Sequence, residues 1–334
     1  MKMSNQIILI VFLVILVIAG YFLILIIQSA LQKPSYADNS IDEPYEISNK
    51  EIGFVNTAVV TAKVVSSNRS PITLTAVGDI NLARAIQDIY KKHPSTWYLE
   101  DVKNELAGDV VFANLESVIS DKGVDSEKTI SFRAEPEMMS VLLDGGFDVV
   151  SVSNNHSYDW GREAFDDSWS RLKESGIVPV GSYLGKDIEI TPYEVEGYYL
   201  GFMAITSLSG PLDREVLIEE IRKQNKNFDY LIISIHWGNE YKIESNDFQK
   251  TLAHEMVDAG ADIILGHHPH VLEEVEEYDN KLIFYSLGNF LFDQWWSQNT
   301  MKGAIAKIVL NHDRSMSYEL IRTNNYNVKV ELGH

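Results

Sequence analysis

The chain contains no cysteine. Disulfide staples, thiolate metal ligands and a lipid-modified cysteine anchor are therefore excluded. Positive charge is also scarce: 28 Lys and Arg stand against 48 Asp and Glu, a formal net charge of −20. So acidic a chain repels phosphate backbones and anionic lipid, which argues against nucleic acid as a partner. Beyond residue 28 the imbalance sharpens to 27 basic against 48 acidic side chains, a net of −21. Charge of either sign is missing altogether from Ile7 to Ile27, which reads IILIVFLVILVIAGYFLILII.

As a helix that run is about 32 Å long, enough to cross a hydrocarbon core of about 30 Å. A secretory signal peptide has a shorter apolar region and a small-x-small cleavage site. Here the following QSALQKPSY offers only a poor site, so a cleaved signal peptide is the weaker alternative to a signal anchor. Lys2 precedes the run, and Lys33, Asp38, Asp42 and Glu43 lie beyond it, which predicts a cytoplasmic N-terminus. The expected organisation is a short cytoplasmic segment at 1–6, a single membrane span at 7–27 and a stalk at 28–70. A folded domain outside the cell membrane at 71–328 and a C-terminal tail at 329–334 complete it. Within the stalk, VNTAVVTAKVV (55–65) reads as either a short strand or an extended tether.

From residue 72 short apolar runs alternate with amphipathic patterns, predicting an α/β domain. ITLTAV (72–77), DVVFA (109–113), FDVVSV (147–152), YLGFMAI (199–205), YLIISI (230–235), DIILG (262–266) and LIFYSL (282–287) read as strands. Helices are expected over 135–146, 162–176 and 246–260, the last with Phe248, Leu252, Met256 and Val257 on one face. Strands apolar on both faces are covered by helices or by a second sheet.

The residues just past the strand ends carry the chemistry. After the first strand comes Gly78-Asp79-Ile80-Asn81, and after the second Asn114-Leu115-Glu116. The third leads into Asn154-Asn155-His156 with Asp159 nearby, the fifth into His236-Trp237-Gly238 and then Glu240, the sixth into His267-His268-Pro269-His270. Five of the nine histidines fall at these ends. Carboxyl ends of strands are where α/β sheets build ligand sites, and carboxylate, amide and imidazole donors suit one or two divalent ions of manganese, zinc or iron. A carboxylate can bridge two ions, an amide such as Asn155 adds coordination without charge, and an unligated histidine beside it can protonate a leaving group.

The motifs AVGDINLAR, FANLES, SFRAEPE, GFDVVSVSNNHSYDWG, ISIHWGNEY, GHHPHV and YSLGNFLFDQ resemble, in order, those of the CapA family of poly-γ-glutamate capsule biosynthesis proteins. The resemblance spans roughly residues 72–325. It implies a membrane-anchored bacterial protein with a calcineurin-like metallophosphatase fold, a β-sandwich flanked by helices with a two-metal site. It further implies Asp79, Glu116, Asn155, His236, His268 and His270 as metal ligands, Glu116 as the bridge, and His156 as the catalytic imidazole. Two positions depart from the pattern: Asp79-x-Asn81 stands for Asp-x-His, and Asn114-x-Glu116 for Gly-Asp-x-x-Asp.

Asn81, Asn114, Asp159 and His267 are further candidates, either ligands or groups that orient one; Asp159 is expected to orient a histidine or cap a helix. Arg84 and Arg133 are candidate clamps for a substrate carboxylate or phosphate, unless each is tied up in a structural salt bridge. Trp295 and Trp296 are expected either to wall the site or to pack in the core. Two functions are consistent with these residues. One is hydrolysis of a phosphoester or γ-glutamyl amide bond. The other is non-catalytic binding of a polyanion such as poly-γ-glutamate for export, beside membrane-embedded synthetase subunits; a metal-dependent phosphoesterase of another pathway is the remaining alternative.

Overall fold

The computed structural model describes residues 69–185, 188–210 and 212–333. The segments read as cytoplasmic N-terminus, membrane span and, save its last two residues, stalk lie outside the described residues. Among the described residues no helix is long and apolar enough to cross a membrane.

The chain runs β1 (Ile72–Ile80), α1 (Ala85–Tyr90), α2 (Lys103–Leu106), β2 (Val110–Leu115), β3 (Val118–Ile119), β4 (Arg133–Ala134), α3 (Met139–Gly145) and β5 (Val149–Ser151). It continues through α4 (Gly161–Glu174), β6 (Val178–Val180), β7 (Thr191–Val195), β8 (Tyr198–Thr206), α5 (Arg214–Gln224), β9 (Tyr230–His236), α6 (Asp247–Ala259) and β10 (Ile263–His267). The remainder is β11 (Val275–Tyr278), β12 (Lys281–Phe284), β13 (Asn289–Leu291), β14 (Lys302–Leu310), β15 (Met316–Tyr326) and β16 (Lys329–Leu332).

Two sheets form. One is ordered β16-β15-β14-β1-β2-β5-β6 with β13 also paired to β1, the other β11-β12-β10-β9-β8-β7. Strand alternation explains how they stack. Val110 and Phe112 of β2 share a buried cluster with Phe202, Ile232 and Leu265 of the other sheet, so the sheets face each other. The intervening Val111 and Ala113 pack outward with Leu142 of α3 and Phe165 of α4. On the other sheet Leu231, Ile233 and Ile235 pack outward with Leu217 of α5 and Leu252 and Met256 of α6. Helices thus cover both outer faces, which is why these strands are apolar on both sides.

Local signals match the helix ends. Asn246 and Gln249 form a reciprocal capping box at α6, and Gly260 closes it in a left-handed conformation at φ 119. Two expectations need correcting. Phe248 is 40% exposed while Leu252, Met256 and Val257 are buried, because Gln249 takes the inward position in the first turn of α6, donating to Glu273 and lying against Gly238. Residues 329–332 are not a tail: β16 pairs with β15 from Thr323↔Leu332 to Tyr326↔Lys329. A four-residue strand with Lys329 and Glu331 carries too little apolar pattern to read as an edge strand from sequence.

Candidate metal centre

The parallel strands β1, β2, β5, β9 and β10 end at the same edge of the sandwich. In β1 the pairing with β2 slips between Ala76 and Asp79, a bulge that re-aims Asp79. Gly78 is required there, since a Cβ would lie 1.9 Å from the Gly288 carbonyl oxygen. Asp79 is fully buried. Its Oδ1 accepts from Asn114 Nδ2 at 2.9 Å and its Oδ2 from the His268 N–H at 3.1 Å. His267 Nδ1 is 3.2 Å from Oδ1 and His270 Nδ1 3.5 Å from Oδ2. Burial alone would raise its pKa, but these two imidazoles outweigh it and hold the carboxylate well below its usual range.

Glu116, one residue beyond β2, is its opposite. Both carboxylate oxygens are buried and neither has a hydrogen-bond partner. Around Oε1 stand His270 Nε2 at 3.6 Å and the Nε2 atoms of His156 and His236, each at 3.8 Å. Those gaps are too long for hydrogen bonds. Burial, then the charges of Asp79, Glu240 and Asp159, push the carboxyl well above its usual range against the pull of His270. An ionised carboxylate so placed needs a cation.

His236, the last residue of β9, lies opposite His267 in register. Its Nε2 is 2.8 Å from Asn155 Oδ1. Burial holds its pKa well down. Burial and the adjacent His270 charge bring His268 to about 3. Both are therefore the neutral imidazoles that ligate metals. His270 moves the other way, up to about 9: burial lowers it, but Glu116 and Asp79 dominate. Its Nδ1 also meets Asn289 Oδ1 at 2.9 Å, while Asn289 Nδ2 donates to Gln294 Oε1 and the Thr300 carbonyl. That network aims His270 Nε2 at Glu116.

His156 is held by Asp159, whose Oδ2 lies 2.6 Å from Nδ1. Asp159 also accepts the Phe132 N–H at 2.8 Å and Lys128 Nζ at 2.7 Å, so it orients the imidazole and holds no other position in the centre. Phe132 lies on the His156 ring, centroids 4.0 Å apart. Burial lowers the His156 pKa, and the Asp159 contact works against that.

The remaining candidates divide. Asn114 bridges Asp79 and Asn154, accepting from Asn154 Nδ2 at 3.3 Å. Asn81 turns back on its own loop, Oδ1 accepting the Ala83 N–H at 3.0 Å. His267 is buried against Phe112, inside the sandwich behind Asp79. Arg84 pairs with Asp293 and stacks on Phe132 at 4.6 Å, which keeps it at the rim beside His156. Arg133 is turned away: it stacks on Trp160 at 3.7 Å and donates to the Lys122 carbonyl. Successive residues on an extended strand face opposite sides; Phe132 takes the side toward the centre, leaving Arg133 the other.

Two donor groups emerge, each with ligand atoms within 4.8 Å of one another: Asp79, Glu116 and His236, and Glu240, His268 and His270. Glu240 ends the HWGNE run after β9, a strand end whose exposed carboxylate has no neighbour in sequence to assign it a role. Asn289 and Lys128 were missed, and Asn154 was named at its strand end without a role, because their partners are distant in sequence. Trp295 packs partly buried against the core, while Trp296 is 63% exposed and edge-on to Tyr241, which in turn stacks on His270.

A family model described as bacterial capsule synthesis protein PGA_cap matches residues 73–294. The PGA biosynthesis protein CapA of Bacillus subtilis is 32% identical over 281 residues, covering 78% of this chain and 73% of that protein. The capsule biosynthesis protein CapA of Bacillus anthracis is 30% identical over 295 residues, covering 81% and 72%. Among solved structures, a hypothetical protein from Thermus thermophilus has a similar fold, with a TM-score of 0.50 and 18% identity over 75% of this chain and 99% of that one.

Proposed function

The chain belongs to the bacterial capsule synthesis protein family PGA_cap, and from that premise we propose that it is a metal-dependent protein of poly-γ-glutamate or similar surface-polymer production. It works from the cell membrane, anchored by residues 7–27 with its folded domain outside, beside synthetase subunits in the same membrane. The two facing sheets are read as a calcineurin-like metallophosphatase sandwich, and the centre as a site for one or two ions of manganese, zinc or iron.

The observation that carries this is Glu116: a buried carboxylate with both oxygens unpartnered, ringed by three imidazole nitrogens. Asp79, Glu116, Asn155, His236, His268 and His270 would hold the metal. When bound, it supplies the positive charge that polarises a phosphoester or γ-glutamyl amide bond and eases ionisation of the attacking water. His156 then protonates the leaving group from Nε2, because Asp159 fixes the tautomer with the proton on Nδ1 and stabilises the imidazolium. Phe132 excludes water from one face of that ring. Arg84, at the rim, reaches a carboxylate or phosphate of the polymer only by exchanging its Asp293 partner. A domain of net charge −21 repels a polyanion everywhere else, so recognition is confined to this locus.

Asn81, engaged in its own turn, supports a second reading in which a sparser metal site binds the emerging polymer without cleaving it. Elemental analysis of the full chain after supplementation, with polymer production by variants in cells, separates the two. His268→Ala is expected to lose metal and production together. His156→Ala is expected to keep metal and lower production about 100-fold or more, the usual scale of general-acid catalysis. Production left intact by His156→Ala removes the hydrolytic reading and leaves the binding one. A chain that takes up no metal under any supplementation removes both.

A further inference from the structure

We propose that Glu240 is a metal ligand, completing with His268 and His270 a divalent-cation position on the solvent side of the centre. This rests on the metal-centre reading but assigns a residue which that reading leaves out.

Three features bring Glu240 back over the site. After His236 the chain turns at Gly238, φ 83, where a Cβ would lie 2.8–2.9 Å from the side-chain amide of Gln249. Tyr241 comes next in a left-handed conformation, φ 64, and its N–H donates to the Pro269 carbonyl at 2.8 Å. Its ring stacks on His270 with centroids 6.2 Å apart. The loop carrying Glu240 is thus pinned to the turn carrying the two histidines. That turn is itself strained, with His268 at φ 97 and His270 at φ 58. A non-glycine residue held there costs on the order of 1–3 kcal/mol, and such strain persists where the surroundings demand it.

A second observation points to a ligand. His268 is 7% exposed, yet its Nδ1 is buried with no hydrogen-bond partner. The ligand atoms of Glu240, His268 and His270 lie within 4.8 Å of one another. This group shares no residue with Asp79, Glu116 and His236, which are all buried. Two imidazoles and one carboxylate form a nitrogen–oxygen set suited to zinc, manganese or iron. Because Glu240 is exposed, it is the ligand that an incoming carboxylate or phosphate oxygen can replace without opening the core.

Titration of the metal-stripped full chain with Mn(II), monitored by calorimetry, tests the assignment on wild type, Glu240→Gln and Glu244→Gln. Glu244 is exposed on the same loop and serves as a control for general charge. Glu240→Gln is expected to weaken the least tightly held Mn(II) at least tenfold, with the metal-free melting curve unchanged and Glu244→Gln like wild type. Equal affinity and stoichiometry in Glu240→Gln and wild type overturn the proposal, as does an equal weakening in both variants. If wild type takes up Mn(II) and only this assignment fails, the metal-centre reading stands. If wild type takes up none, both fall.

Discussion

At the end of the sandwich where its parallel strands begin, Asp109, Asp148, Asp229 and Asp262 each accept the N–H of a neighbouring strand. The donors are Thr73 at 2.7 Å and Val111, Tyr199 and Leu231 at 2.8 Å. Asp262, buried like Glu116, also takes Lys281 at 2.6 Å and Arg314 at 2.8 and 3.0 Å. At the opposite end Glu116 is equally buried and has no hydrogen-bond partner. Glu273 stands between them: Gln249 donates to one oxygen at 2.8 Å and the other has no partner. The same residue chemistry thus stitches strands at one end and stands without a hydrogen-bond partner at the other. Burial is common to Asp262 and Glu116; partners tell them apart.

Three substitutions test that contrast. Asp262→Ala strands a buried backbone N–H and two partly exposed cations, and is expected to cost about 3 kcal/mol of stability. Chemical denaturation measures it, and Mn(II) affinity should stay as in wild type. Glu116→Gln reverses the pattern. Metal affinity should fall at least 100-fold, about 2.7 kcal/mol, while the metal-free chain unfolds at or above the wild-type midpoint, since a neutral amide replaces a buried carboxyl group with no hydrogen-bond partner. A destabilised metal-free Glu116→Gln would mean that the carboxylate is a structural partner after all.

The smallest effect belongs to Glu273, whose pKa burial raises from 4.5 to about 7. Its folded-state pKa lies above its unfolded one, so the stability it contributes is fully present below pH 4.5 and is lost as pH rises through about 7. Glu273→Gln cannot titrate and keeps an acceptor for Gln249. Its stability advantage over wild type should therefore grow across that window, by about 1.4 kcal/mol for each pH unit by which the pKa stays raised in solution. Thermal melts at pH 4.5, 6 and 7.5 give the difference directly.

Much of the fold was legible because local pattern and tertiary role agree. Each of the seven expected strands coincides with an observed one, with ends shifted by up to three residues, as where 282–287 becomes Lys281–Phe284. The strands β3, β4, β6, β7, β11 and β13 to β16 were not expected. Polar residues such as Glu319, Arg322 and Asn324 interrupt β15, and its place comes from pairing with β14. At the site, the strand-end donors Asp79, Glu116, Asn155, His236, His268 and His270 converge, and Asp159 meets His156 three residues away. Arg84 and Arg133 looked alike in sequence and part company in space, one at the rim and one on Trp160.

By itself the sequence determined the donor chemistry, by excluding thiolates, and the continuous apolar runs of the strands whose carboxyl ends carry those donors. Both are local properties, readable wherever a strand stops and a polar group comes after it. Only the tertiary structure decided which groups find partners. A bulge turns Asp79 inward, Asn289 aims His270 from another strand, and a pinned loop returns Glu240 to the turn it had left. Glu116 is left alone because three histidines distant in sequence stop just beyond hydrogen-bond reach of it. Such distances depend on register and twist across two sheets, which no local pattern encodes.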